Sequence, residues 1–535
     1  MPQSVLICYA LAFAVALAVG LLATRVVRQL ARQIGFVDKP DGGRKKQLTA
    51  VALGGGVAVY IALLAGVGVS FAVAYAYGVD LLNLKNFATD RRVFAGLLLA
   101  SAWIVGVGII DDRYGMKGRY KLLAQFAAAG LMLYCGLRIE RFGIFGQQIE
   151  FADWLSIPVT LVWLIVTINA INLIDGIDGL AASVGTVLCL TVGAMTAIMG
   201  HYAEGFIVVA LAGAQLGFLR YNFAPASIYL GDTGSMLIGL VVGVIATHTS
   251  VKSPAAMAMA VPLAVWSVPI LDSAAAILRR KLTGRSLFAP DRGHLHHSLL
   301  IRGWSVRQAA MFVTLICATT CLAALLAILW QMDWIALAII GAVVLFLIST
   351  KTFGHIELAL LKNRFRNSAA ALRGGKRDSS SDNHGAVRLQ GSREWDKLWV
   401  AMIDLADEQG LAQMKLAINI PALHEVFYAT WKSPAKGEFD SELLWSVAHP
   451  LVIDGVKVGQ LILEGAPDEA AGPTPAQVAG MLACFEPIEA DVRRIREQLK
   501  HDHAEADLGA SLMSTPALAG DPATNPATAE PTPTH

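Results

Sequence analysis

The sequence predicts an all-α polytopic membrane protein of about eleven transmembrane helices, followed by a small cytoplasmic α+β domain. Three observations carry that prediction. Of the 535 residues, 55% are hydrophobic and only 16% are charged, and the mean hydropathy is +0.55, a balance foreign to a water-soluble globular chain. The apolar residues come in runs of roughly 20, the length that crosses about 30 Å of hydrocarbon. Beyond residue 350 the runs stop and the composition turns polar.

Taken in order, the runs lie near residues 4–24, 51–77, 93–110, 120–137, 155–171, 180–199, 203–219, 235–249, 256–278, 308–330 and 334–350. The run at 235–249 is the shortest. Arg25 follows the first run directly, with no small-residue cleavage site, so that run is expected to remain as an anchor. Lys and Arg crowd one set of loops: Arg25 to Lys46, Arg113 to Lys121, Arg220, and Arg279 to Arg307. The opposite set holds only Lys85, Arg91, Arg92, Arg138, Arg141 and Lys252. By the positive-inside rule the basic side is cytoplasmic, which places the amino terminus outside and the polar tail inside. The chain is therefore expected to cross its membrane many times. Cys8, Cys135, Cys189, Cys317 and Cys321 fall in the runs and Cys484 in the tail; without a CxxC they make no zinc or disulfide framework. The net charge of +2 singles out no partner, and no nucleic acid is expected.

The organisation then reads as a transmembrane domain over 1–350, a linker over 351–392, an α+β domain over 393–505 and a disordered tail over 506–535. "RGGKRDSSSDNHGAVRLQGS" closes the linker. Trp395, Leu398, Trp399 and Ile403 share one helix face. "MKLAINI" and "EVFYATW" read as strands, and "HPLVIDGVKVGQLILEG" as a hairpin turning at Asp454 and Gly455. A helix over about 474–500 follows, and the Ala-, Pro- and Thr-rich end is expected to be disordered.

Every unusual polar cluster of the membrane domain falls on the expected cytoplasmic side. "GIIDDRYGMKGRYKLLAQ" ends the third run with Asp111 and Asp112, where a helix already presents partial negative charge. Two readings stand: the pair shares a cation or proton, or it is a solvated acidic loop in which Arg113 pairs locally. In "NAINLIDGIDGL", Asn169, Asn172 and Asp175 step back about 60° each around a helix and line one wall. Gly176 and Gly179 let that helix end, so Asp178 either extends the wall or N-caps the sixth span. In "GDTGS", Asp232 either caps the eighth span or offers oxygen to a hard divalent cation. "DRGHLHH" gathers Arg292, His294, His296 and His297, which either suit phosphate, better than structural zinc, or form a solvated loop with no role. Carboxylates and amides for a metal, with imidazole and guanidinium for phosphates, are the equipment of phosphoryl transfer at a lipid surface. A transporter would instead place its polar residues near the midplane, often with inverted repeats.

"DDRYGMKGRYKLLAQ", "NAINLIDGIDGL", "YLGDTGS" and "DRGHLHHSLL", in that order, resemble the polyprenyl-phosphate N-acetylhexosamine-1-phosphate transferases over residues 1–350. These enzymes begin enterobacterial common antigen, O-antigen and teichoic acid linkage units, and are related to the translocase that makes lipid I. The resemblance implies transfer of N-acetylglucosamine-1-phosphate from a UDP-N-acetylhexosamine to undecaprenyl phosphate, with release of UMP. It implies Mg2+, with Mn2+ as the alternative ion. Asp111 and Asp112 match positions beside the lipid phosphate, Asp111 as base or positioning group. Asp232 matches the metal ligand, with Asn172 a second. Asp175 and Asp178 match the nucleotide pocket, Lys121 a lysine near the phosphates, and Arg292, His294, His296 and His297 the loop over the diphosphate. "HLHH" is similar to the N-acetylhexosamine branch rather than the phospho-MurNAc-pentapeptide translocases, which are the runner-up. In "GFVDKPDGGRKKQLTAVALGGG" the substrate-binding Lys45 is kept, but Gln47 and Ala52 stand where the family has His and Pro. The tail resembles the second half of a GAF-type sensory domain, implying a ligand or cytoplasmic partner; a homodimer is a further expectation.

Overall fold

In hydrocarbon the backbone has to satisfy its own N–H and C=O groups, and an apolar chain of this composition does so as helices. The computed structural model describes residues 3–38, 50–76, 87–144, 147–252, 260–282, 293–354, 357–358, 361, 384–390, 394–420, 425–433, 445–453, 456–465, 480, 483 and 490–498. Two units emerge, residues 1–369 and 370–535. The first contains α1 (Gln3–Gln33), α2 (Gly55–Ala76), α3 (Phe87–Tyr114), α4 (Gly118–Tyr134), α5 (Asp153–Ile174), α6 (Leu180–Met199) and α7 (Tyr202–Asn222). It continues with α8 (Gly231–Lys252), α9 (Ala260–Val265), α10 (Ser267–Leu282), α11 (Leu295–Ile301), α12 (Val306–Trp330) and α13 (Asp333–Ser349). Two short hairpins, β1 (Val37–Asp38) with β2 (Val51–Ala52) and β3 (Arg141–Ile144) with β4 (Gln147–Glu150), connect helices.

Among the described residues, eight helices are long and apolar enough to cross a membrane: α1, α2, α3, α5, α6, α7, α8 and α12. The other segments expected to span are shorter. Helices α4 and α13 have 17 residues each, and the run expected near 256–278 is broken at Trp266 into α9 and α10.

Helix α8 is completely enclosed by its neighbours. Close backbone approach makes this enclosure work. A Cβ on Gly108 of α3 would lie 2.4 Å from the Thr233 Cα of α8, so only glycine lets the two helices touch there. One turn beyond Gly108, the same face of α3 delivers Asp112 to the start of α8. On another side, Gly55 N and Gly56 N donate to the carbonyls of Tyr229 and Leu230 at 3.0 Å, and Tyr229 N donates to Ala52 O at 2.8 Å. The segment leading into α8 is thereby pinned to the start of α2.

The second unit has β5 (His384–Gln390), α14 (Glu394–Glu408), β6 (Gln413–Ile420), β7 (Glu425–Lys432), β8 (Trp445–Ile453) and β9 (Val456–Gly465). They form an antiparallel sheet in the order β5-β7-β6-β9-β8. Trp395, Leu398, Trp399 and Ile403 of α14 are buried together with Leu416, Phe427 and Leu461, the face that the helical spacing predicts. Residues 384–390 correct the expected linker: they are an edge strand paired antiparallel to β7. The hairpin turn expected at Asp454 and Gly455 lies outside the described residues, with Ile453 and Val456 paired on either side of it. Residues 490–498 are helical and bury Val492 and Ile495.

Candidate active site

The site grows from the end of α3. Asp112, in its last turn, accepts from Asp232 N at 2.8 Å through Oδ1, and through Oδ2 from Thr233 N at 3.3 Å and Thr233 Oγ1 at 2.6 Å. Its carboxylate therefore caps α8 from a different helix, where free N–H groups and the positive end of the helix dipole favour an anion. Gly231 stands at the approach with φ +74, and a Cβ there would lie 2.4 Å from Asp112 Oδ2. Asp111 accepts from Met116 N at 2.6 Å and pairs with Lys121 Nζ at 3.2 Å. Arg113 does not pair with these acids: its guanidinium lies over Phe36 and reaches Gly35 O at 3.5 Å. The pair is thus built into the bundle and is not a self-neutralised loop.

Lys121 joins two helices, since the same Nζ lies 2.7 Å from Asp232 Oδ2. The other oxygen of Asp232 accepts from Asn172 Nδ2, which also donates to Ser235 Oγ at 2.9 Å. With both oxygens so engaged, Asp232 is not a helix cap. Asn169 sits one turn deeper on α5, where it donates to Gln125 Oε1 at 2.6 Å and to Ile165 O at 2.8 Å. Asp175 ends α5 and is half-buried. Burial first, and then the charges of Asp232, Asp112 and Asp178, push its carboxyl well above the usual range. Asp178 accepts from Ala226 N at 2.8 Å. It does not cap α6, whose N-cap is Gly179 with no side-chain bond.

The imidazoles arrive from α11. His294 Nδ1 lies 2.8 Å from Asp272 Oδ2 of α10, and Leu295 N donates to Asp272 Oδ1 at 2.8 Å. The ring of His296 packs on the loop after α5, where a Cβ on Gly176 would lie 2.3 Å from Nε2. His296 is 1% exposed and neither ring nitrogen has a hydrogen-bond partner. Burial first, then the neighbouring His297, lowers its pKa to about 3. A buried imidazole with two unsatisfied nitrogens is costly unless something else uses them. The rings of His294 and His296 stack 5.7 Å apart between centroids, and that of His297 lies tilted against His296 at 4.3 Å.

Asp111, Asp112, Lys121, Asn172, Asp175 and Asp232 are thus brought together, with His296 against the adjoining loop. Lys45 and Arg292 lie outside the described residues. Sequence reasoning missed Asp272, Gln125 and Thr233. Asp272 and Gln125 carried a signal, being polar residues inside apolar runs; Thr233 had none. Among the described residues, no three His, Cys, Asp or Glu side chains lie together as a preassembled metal site. The donor chemistry still fits a hard divalent cation: Asp111 and Asp232 share the Lys121 ammonium, and after burial the charges of Asp232, Asp112 and Asp178 add to the rise of the Asp175 carboxyl.

A model of glycosyl transferase family 4 matches residues 94–250, the stretch from α3 through α8. The chain is 31% identical over 307 residues to the probable undecaprenyl-phosphate N-acetylglucosaminyl 1-phosphate transferase of Bacillus subtilis (strain 168), covering 57% of this chain and 81% of the relative. It is 34% identical over 348 residues to the decaprenyl-phosphate N-acetylglucosaminephosphotransferase of Mycobacterium tuberculosis (strain CDC 1551 / Oshkosh), covering 60% and 83%. Identity to the undecaprenyl-phosphate alpha-N-acetylglucosaminyl 1-phosphate transferase of Escherichia coli (strain K12) is 29% over 298 residues, covering 54% and 76%. With the acids, the lysine and the amide of those motifs gathered at one end of the bundle, the chain belongs to the polyprenyl-phosphate N-acetylhexosamine-1-phosphate transferases of glycosyl transferase family 4.

Proposed function

We propose that this protein transfers N-acetylglucosamine-1-phosphate from UDP-N-acetylglucosamine to undecaprenyl phosphate, releasing UMP, as the first membrane step of a cell-surface polysaccharide. One observation carries the reading: Lys121 bridges Asp111 and Asp232 while Asp112 holds the start of α8, so acids of two helices meet at the bundle's end. A phosphate oxygen of the lipid attacks the sugar-bearing phosphorus. The new P–O bond forms as the bond to the UMP oxygen breaks, and the freed UMP carries the charge away. A phosphate monoester with a second pKa of about 6 is largely ionised near neutrality, so Asp111 serves to position the lipid phosphate rather than to strip a proton. Lys121 balances negative charge that gathers on the migrating group, and His296, with both ring nitrogens uncommitted, faces the loop of Asp175 and Asp178 where the donor diphosphate would lie. Asp232 and Asn172 would hold a Mg2+ ion, which when bound neutralises diphosphate charge.

The sugar assignment rests on "HLHH" and on the names of the relatives. In this reading α4, α13 and the α9–α10 pair complete the crossings, with the site and the C-terminal unit cytoplasmic and that unit binding a regulatory ligand or partner. The test is purified full-length protein with undecaprenyl phosphate, Mg2+ and a panel of UDP-sugars, reading UMP. Release with UDP-N-acetylglucosamine is expected. No release with any sugar overturns the assignment.

A further inference from the structure

The loop between α7 and α8 has two neighbours. On one side Ala226 N supports Asp178; on the other, Pro225 and Ser227 line a cavity of about 630 Å³. Arg28 near the end of α1, Arg220 in the last turn of α7 and Arg307 in the first turn of α12 also line it. None of the three pairs with a carboxylate among the described residues.

Two of these guanidiniums are held in place without being neutralised. Arg28 donates to Ser227 Oγ at 3.0 Å and lies 4.9 Å over the Tyr221 ring. Arg307 donates through Nε to Ala224 O at 2.5 Å. Each guanidinium carries five N–H donors, so most remain for a ligand. Arg220 is exposed at the cavity edge. Like charges gathered around one cavity repel each other, and a positioned set of them is favourable once an anion enters. Guanidinium forks match phosphate oxygens in pairs. The cavity opens at the ends of three membrane helices, the level of lipid headgroups, and its volume exceeds that of a bare phosphate.

The structure assigns this cavity as a second phosphate-binding site, separate from the acid cluster, for a phosphate mono- or diester. An occupant ties the ends of α1, α7 and α12 together and steadies the loop that supports Asp178.

The test uses the full chain in phosphatidylcholine nanodiscs, with ligand retention read by native mass spectrometry and competition. One arm adds phosphatidylglycerol, the other inorganic phosphate. The variants are Arg220→Gln, which removes a side chain with no internal bond, and the pair Arg220→Gln with Arg307→Gln. A control pair, Arg25→Gln with Arg32→Gln, lowers charge on the same end of α1 outside the cavity. Binding of either probe that weakens about tenfold per cavity arginine, while the control pair binds as wild type, supports the site. Retained phosphatidylglycerol identifies the source as lipid, and binding of phosphate alone identifies it as soluble. No binding of either probe, or equal weakening by the control pair, overturns the assignment.

Discussion

Asp112→Asn isolates what a carboxylate does at the start of α8. The native group accepts at Oδ1 from Asp232 N and at Oδ2 from Thr233 N and Thr233 Oγ1. Asparagine keeps one acceptor oxygen and turns the other into a donor. The threonine hydroxyl can rotate to accept from it, but Thr233 N–H cannot, and Thr233 is fully buried. A buried donor left without a partner costs about 1–3 kcal/mol, here at the low end because the native contact is long. Loss of a negative charge at a helix N-terminus adds about 0.3–1 kcal/mol. The expected destabilisation is therefore about 2 kcal/mol, read as a lower unfolding temperature of the purified protein. Activity falls further, since Asp232 follows the backbone that Asp112 holds, and a shift of about 1 Å in a reacting constellation costs about 10²-fold. Asp111→Asn retains the Met116 N–H bond and gives up one of the two carboxylates that share Lys121, so it should lose less stability than Asp112→Asn while UMP release drops. An Asp112→Asn protein that melts like wild type, or an Asp111→Asn protein that melts below Asp112→Asn, would refute this division of labour.

Four further outcomes are expected. Gly231→Ala forces a side chain into a left-handed backbone and against Asp112, costing about 1–3 kcal/mol with loss of UMP release; a wild-type melting curve would contradict the packing. His296 has a folded pKa near 3 against an ordinary 6.5, so between these values the unfolded chain binds more protons. Stability should be level above about pH 6.5 and fall below it by up to about 1.4 kcal/mol per pH unit; His296→Leu should flatten a melting series over that range. Chelation by EDTA should stop UMP release and added Mg2+ restore it, and activity undiminished by chelation would remove the metal from the scheme. Trp399→Ala should cost the C-terminal unit about 3–5 kcal/mol, seen as faster hydrogen exchange in β6 and β9.

The site was legible in the sequence where its residues close a helix or repeat every three positions. Asp111, Asp112, Asn172 and Asp232 stood at the ends of apolar runs, where an uncompensated charge or amide demands a reason, and the fold gathers those ends. The bundle was legible for the same reason, since length and apolarity alone mark a crossing. What stayed hidden depends on partners distant in sequence. Asp272 lies inside a run that reads as one span; Pro262 and Pro269 flank the break at Trp266, and beyond it Asp272 meets His294. Proline at a helix start is favourable and in a helix interior is not, so the break could have been read, but its consequence could not. β5 is the opposite case: in "HGAVRLQ" only Val387 and Leu389 alternate with Arg388 and Gln390, a signal shorter than the polar stretch it ends, and the strand is paired along the edge of β7.

In the sequence, the arginines of the cavity speak only of topology. Arg28, Arg220 and Arg307 are positive charges in loops, which fix orientation whatever the side chains do. Only packing distinguishes an arginine that snorkels to headgroups from one held against a neighbour. Arg28 and Arg307 are held, by Ser227, Tyr221 and the carbonyl of Ala224, and those partners leave their charge intact. A cation fixed in direction but not neutralised is arranged for an anion from outside the chain, whereas the Lys121 ammonium is already shared between Asp111 and Asp232. The two ends of the α7–α8 loop thus carry opposite electrostatic demands, one for a cation among acids and one for an anion among guanidiniums.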